Sequence, residues 1–226
     1  MLVPRDPSED AMRFKDRQEA GRVLAASLSR YAGRDDVIVL GLPRGGVPVA
    51  AEVAEVLGAP LDTLMVRKLG VPGHEELAMG AIATGGVRVL DDTAQRLFGV
   101  PPEVVDRVTE DEEFELARRE RLYREGRAAP HLTDRIVIIV DDGLATGSSM
   151  RAAVRAVRRE RPALVVVAVP VAPTDTCALL RLEADECVCA STQDPFFSVG
   201  AWYDDFPQLT DAQVQALLRP GAVPRP

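Results

Sequence analysis

Lysine is nearly missing from this 226-residue chain: among 27 basic residues only Lys15 and Lys68 are lysines. Histidine is as scarce, with His74 and His131 alone, and there are three cysteines and one tryptophan. Each shortage excludes something. No Lys/Arg-rich run stands out against a formal charge of −8, so nucleic acid is not an expected partner. A small anionic ligand stays open, because it needs only a local positive pocket. No apolar stretch approaches the roughly 18 residues of a membrane span. The opening Met1-Leu2-Val3-Pro4-Arg5-Asp6 lacks the apolar core of a signal peptide, which points to a cytoplasmic protein with no membrane partner. Cys177, Cys187 and Cys189 are too few for a disulfide framework. With no partnering His or Cys nearby, Cys187 and Cys189 read as small apolar residues on one strand face, not as half of a metal site. The arginine excess is what codon bias in a GC-rich genome produces, which makes the retained Lys68 worth following.

What is present is ordinary for one large domain, or one domain with a small cap: 46% hydrophobic and 27% charged residues. Residues 37–40, 135–140 and 164–169 are β-branched on both faces instead of alternating, the pattern of buried parallel strands. Helix-compatible stretches follow each, at 47–57, 148–160 and 174–182. Further strands are expected at 61–66 and 186–189. Alternating strand and helix predicts an α/β fold, a parallel sheet with right-handed crossovers and helices on both faces. A charged helix is expected over Pro102–Arg124, starting at Pro101-Pro102 and stopped by Gly126, as a solvated helical insertion within 93–127. The tail changes character: Phe196, Phe197, Trp202, Tyr203 and Phe206 are half of the ten aromatic residues. Residues 220–226 are expected to form a loose end.

The densest chemical signal is Val140-Asp141-Asp142-Gly143-Leu144-Ala145-Thr146-Gly147-Ser148-Ser149. Two carboxylates at a strand end repel each other and resist desolvation, so hydroxyls, a cation or both should compensate them. The small, glycine-bearing loop that follows opens a helix, whose first N–H groups form an anion site. One loop thus offers acceptors for a diol beside donors for a phosphate. An ordinary strand–turn–helix accounts for Gly143 and Ser148 but not for the whole string. A P-loop is excluded by the missing G-x-x-x-x-G-K.

Two other loops follow strands. In Gly41-Leu42-Pro43-Arg44-Gly45-Gly46, Gly45 and Gly46 let backbone amides approach a ligand, and Arg44 can fork onto phosphate. Alone, this is also what a tight βα turn looks like. In Arg67-Lys68-Leu69-Gly70-Val71-Pro72-Gly73-His74-Glu75-Glu76, the Gly/Pro spacing predicts a mobile loop with three candidate cations, Arg67, Lys68 and His74. An exposed charged loop is the plain alternative.

The segment 140–149 resembles the signature of the type I phosphoribosyltransferases: an apolar run, two acidic residues, two variable positions, then Ala or Asp, Thr, Gly and small hydroxyl residues. The resemblance covers roughly residues 14–190, with a parallel-sheet core and a small variable hood. It implies that Asp141 and Asp142 hold the ribose hydroxyls of 5-phosphoribosyl-1-pyrophosphate (PRPP) and, directly or through water, Mg²⁺. It further implies that Ala145, Thr146, Gly147, Ser148 and Ser149 grip the 5-phosphate. Arg44, Gly45 and Gly46 fall on the pyrophosphate loop, where a cis non-proline peptide is expected near Pro43–Arg44. Arg67, Lys68 and His74 fall on a catalytic loop that closes over the substrate. The implied activity is Mg²⁺-dependent transfer of phosphoribosyl from PRPP to a nitrogen acceptor, a nucleobase or a relative of one, with release of pyrophosphate. Hypoxanthine/guanine enzymes of the family carry an aspartate where Ala145 stands, which disfavours a 6-oxopurine. The hood is expected from 13–30 together with the tail at 191–226. In it Phe196, Phe197 and Trp202 are candidates to stack on the base or, alternatively, to pack the tail. A homodimer is common in the family. Two other readings are a non-catalytic PRPP-binding regulatory protein and a scaffold that docks a partner on the charged helix.

Overall fold

The computed structural model describes residues 13–219, so the expected loose end at 220–226 lies outside the described residues. In chain order the elements are α1 (Arg17–Ser27), β1 (Val37–Gly41), α2 (Gly46–Leu57), β2 (Leu61–Thr63), β3 (Val66–Val71), β4 (His74–Ala83), β5 (Val87–Leu90), α3 (Asp92–Leu97), α4 (Pro102–Arg124), β6 (Ile136–Val140), α5 (Ser148–Arg159), β7 (Leu164–Ala172), α6 (Thr174–Leu180), β8 (Glu186–Thr192) and α7 (Asp211–Leu218).

The β-branched runs become the centre of a parallel sheet in the order β2-β1-β6-β7-β8. Every residue of β1 and β6 is buried, because helices cover both faces and no position along them can be polar. Leu24 of α1, Leu28 just past its end, and Val49, Val53 and Leu57 of α2 pack one face. Met150, Val154 and Val157 of α5 and Leu180 of α6 pack the other. From β1 the chain crosses outward to β2, and from β6 it crosses the opposite way to β7. The central pair β1/β6 is therefore the topological switch point, where the two following loops diverge and leave a crevice beyond the strand ends.

A second, antiparallel sheet in the order β3-β4-β5 corrects the expectation of a mobile loop at 67–76. The glycines and proline that read as breakers are absorbed by the hairpin. Gly70 falls where the β3/β4 ladder shifts register, and Gly73, at φ +78°, turns the chain between the strands. Leu69, Val71 and Met79 then bury against Val105 and Leu116 of α4. The strand expected at 61–66 accordingly splits, with Leu61–Thr63 in the parallel sheet and Val66 opening the hairpin.

The charged helix occupies Pro102–Arg124, as its sequence predicts, but it is not a wholly solvated excursion. Leu116, Tyr123 and Arg124 are buried, and the helix packs on β3 and α7. Its exposed face keeps the predicted spacing of charge: Glu115 pairs with Arg118 and Arg119, and the two guanidiniums hold its carboxyl at about 2. Arg124 donates to Asp62 at 2.9 Å, with Glu120 at 3.1 Å, so a buried ion pair ties the helix to β2.

The reading of the cysteines is also corrected. Cys187 and Cys189 do share one face of β8, but α6 brings Cys177 against them, and Cys177 and Cys189 are joined as a disulfide. A partner twelve residues away in sequence becomes adjacent because α6 folds back over β7 and β8. No helix among the described residues is long and apolar enough to cross a membrane.

Candidate active site

Two segments meet at the switch point, and a third faces the loop of the second. The first is the turn between β1 and α2. The Leu42 N–H donates to the Val140 carbonyl at 2.9 Å, which seats this turn against the end of β6. The Pro43–Arg44 peptide is cis. Arg44 is exposed, while Gly45 and Gly46 lie against the acidic pair. A Cβ on Gly45 would overlap the Asp142 carboxylate, and one on Gly46 would come within 2.6 Å of the Val140 carbonyl oxygen. Only glycine allows this approach.

The second segment is the acidic pair with the loop that follows β6. The Asp142 N–H donates to Asp141 Oδ1 at 2.9 Å. Burial pushes both carboxyls up, and for Asp141 the neighbouring Asp142 charge pushes in the same direction. Leu144 N–H donates to the Val171 carbonyl at 3.0 Å, and Thr176 Oγ1 donates to the Ala145 carbonyl at 2.8 Å. Gly147 stands at φ +71°, capping α5, and a Cβ there would also press on the Thr176 methyl at 3.0 Å. The side chains of Thr146, Ser148 and Ser149 are left accessible at the start of a twelve-residue helix, the arrangement that suits an anion.

The third segment is the antiparallel sheet. A cleft of about 540 Å³, within the range of small-ligand sites, lies between β3–β5 and the start of α5. Lys68, Thr146, Ser148, Ser149, Arg151 and Arg155 are among its walls, so Lys68 and the hydroxyl loop face a common space. Arg67 is turned the other way and pairs with Glu112 of α4. His74 sits at the hairpin tip, 6.2 Å ring to ring from Phe98, and is not part of the cleft wall. Of the three candidate cations, the fold brings only Lys68 to the hydroxyl-bearing loop 146–149.

Sequence reasoning missed two residues at this site. Arg17 of α1 is buried; its Nε donates to Asp142 Oδ2 at 2.8 Å and one Nη to the Pro207 carbonyl at 2.9 Å. Its guanidinium lies 3.7 Å over the Phe206 ring. Tyr203 donates its hydroxyl to the Asp142 carbonyl at 2.5 Å, and burial pushes that phenol up. The acidic pair was itself the signal, since a buried carboxylate needs a cation or donors; its distance in sequence from both residues hid which ones.

The N-terminal segment and the aromatic tail do come together. Phe14 bridges to Tyr203, and its N–H donates to the Trp202 carbonyl at 2.9 Å. Phe196 and Trp202 stack at 6.1 Å inside the same cluster as Phe14, Tyr203 and Phe206. Those two rings are occupied in packing the tail. Phe197 is 85% exposed and the structure gives it no such role.

The donor set suits Mg²⁺: two carboxylates at one strand end, oxygen ligands only, both held at a cost that an added cation would relieve.

Residues 72–205 match the family model described as the phosphoribosyl transferase domain. The chain is 49% identical over 205 residues to Rv0571c, a provisionally named phosphoribosyl transferase of Mycobacterium tuberculosis, covering 91% of this chain and 46% of that protein. The chain thus spans about half the length of the curated relative it matches. It is 26% identical over 149 residues to the bifunctional protein PyrR of Clostridium acetobutylicum, covering 66% of this chain and 64% of PyrR. The crystal structure of TT1426 from Thermus thermophilus is 44% identical, covers 92% of this chain and 98% of its own, and superposes with a TM-score of 0.81. With a matching family model over more than half of its length and a doubly wound core that carries the acidic pair and hydroxyl loop at its switch point, this chain belongs to the type I phosphoribosyltransferases.

Proposed function

We propose that this chain transfers the 5-phosphoribosyl group of PRPP to a nitrogen acceptor of nucleobase type, with release of pyrophosphate and dependence on Mg²⁺. The observation that supports this most is the meeting of Asp141-Asp142, the Gly45–Gly46 turn and the Thr146–Ser149 loop at one switch point, with Lys68 facing that loop across an adjoining cleft.

In this reading the amides and hydroxyls of Thr146–Ser149 hold the 5-phosphate at the positive end of α5. The carboxylates of Asp141 and Asp142 accept hydrogen bonds from the ribose hydroxyls, which restores the partners that burial removed. Gly45 and Gly46 bring backbone against the pyrophosphate beside exposed Arg44, and Lys68 adds charge from β3. Asp141 and Asp142 would hold Mg²⁺, directly or through water, and the bound ion would supply charge neutralisation for the departing pyrophosphate. The bond from ribose C1 to the pyrophosphate oxygen breaks, a bond from C1 to the acceptor nitrogen forms, and that nitrogen loses a proton. The transition state is oxocarbenium-like, so positioning and electrostatic stabilisation carry the catalysis and no side-chain nucleophile is required. With Ala145 in place of an aspartate, a 6-oxopurine is disfavoured as the acceptor.

Pyrophosphate release measured with PRPP, Mg²⁺ and a panel of nucleobases tests this directly. Turnover with one acceptor supports the transferase. Silence across the panel, with PRPP still bound, replaces it with the non-catalytic PRPP-binding regulator.

A further inference from the structure

Outside the crevice, Cys177, Cys187 and Cys189 bring three sulfurs within 4.8 Å of one another, the one group of three or more metal-ligating side chains among the described residues. Cys187 and Cys189 stand two apart on β8 and therefore point to the same side of an edge strand. Their sulfurs are 3.9 Å apart. Cys177 reaches the same point from α6, fully buried, while the two strand cysteines are partly open to solvent. Metal–thiolate bonds of about 2.3 Å place neighbouring sulfurs about 3.8 to 4.0 Å apart in tetrahedral or trigonal geometry. The Cys187–Cys189 pair already has that spacing.

We propose that, with the Cys177–Cys189 bond reduced, these three cysteines form a binding site for a thiophilic d¹⁰ cation of the copper(I) class. Soft thiolate donors select such ions. No carboxylate or imidazole joins the group among the described residues. Three sulfurs without a fourth ligand suit copper(I) better than zinc, which is almost always four-coordinate in closed sites. Reduction of the disulfide by a phosphine and water gives two thiols and a phosphine oxide. Binding then replaces three thiol protons with the metal, and the sulfur–sulfur bond and the metal site exclude each other. The rigid frame of β7, β8 and α6 brings the three groups together from separate elements, whereas a surface C-x-C pair alone would supply only two donors.

The test uses the full chain, reduced with a phosphine and kept free of oxygen. Copper(I), supplied as its acetonitrile complex, is titrated against a chromophoric copper(I) chelator, and the bound ion is examined by X-ray absorption. The expected result is one copper per chain with three sulfur neighbours. Cys187→Ser removes a ligand that takes no part in the disulfide, and should lose more than about tenfold in affinity and one sulfur neighbour. Cys189→Ser provides a second variant should the first fail to fold, with circular dichroism reporting the fold. Two sulfur neighbours in both the parent and Cys187→Ser, or unchanged affinity in either folded variant, would overturn the proposal.

Discussion

At the scale of single residues, the acidic pair to which the proposed reaction assigns the ribose is held at a cost to the fold. The Asp141 carboxyl is pushed up by burial and by Asp142. A carboxyl whose folded value lies above its unfolded one favours the fold most when protonated. That contribution is complete below the ordinary carboxylate range and is lost as pH rises through the raised value. Asp141→Asn keeps an oxygen for the Asp142 N–H and removes the charge. It should therefore melt at a higher temperature than the parent at neutral pH, with the gap narrowing toward the ordinary carboxylate range, about pH 4. Thermal scans across that interval check it, and a variant that melts lower at neutral pH would contradict the account.

Elements enter through the contacts that hold this pair and its loop. α1 reaches the site by Arg17, whose side chain is 10% exposed in its pair with Asp142. Removing one partner of a buried ion pair leaves the other uncompensated, so Arg17→Ala should cost about 3 kcal/mol in urea unfolding. The same change made in an Asp142→Asn background should cost clearly less, since no stranded carboxylate remains; equal costs would show that Arg17 acts only through Phe206 and Pro207. α6 holds the loop proposed to bind the 5-phosphate through Thr176. Thr176→Val keeps the shape but loses the bond to the Ala145 carbonyl, worth about 1 kcal/mol. PRPP affinity measured by calorimetry should fall severalfold while Asp141 and Asp142 are untouched.

Legibility in the sequence follows the range of the interactions. The buried strands at 37–40, 135–140 and 164–169 and the helix over Pro102–Arg124 were readable because periodicity and caps are local. The hairpin was not. Gly70, Pro72 and Gly73 carry the same local signature in a bulge and a tight turn as in a mobile loop, and only packing against α4 separates the two. The candidate site divides in the same way. Asp141, Asp142 and Thr146–Ser149 lie on one short stretch and could be read directly. Arg17 and Tyr203 join it through contacts 125 and 61 residues away, and Cys177 joins Cys189 only once α6 folds over β8.

For the whole molecule, a chain of net charge −8 still places Arg44 on the β1–α2 turn and Lys68, Arg151 and Arg155 around the cleft, with Arg151 and Arg155 paired to Glu183. A local group of this kind is enough for a small polyanion. The doubly wound core places the proposed donor-binding segments on two loops of one rigid sheet, while the N-terminal segment and the aromatic tail close over the acidic pair as a separate cluster. The most direct measurement is calorimetric titration of PRPP with Mg²⁺ into the parent chain and into Asp141→Asn/Asp142→Asn. Two lost charge-assisted hydrogen bonds, together worth about 3 kcal/mol or more, predict at least about a hundredfold weaker binding with the circular dichroism spectrum unchanged. Equal affinity in a folded double variant would contradict the assignment of the acidic pair to PRPP.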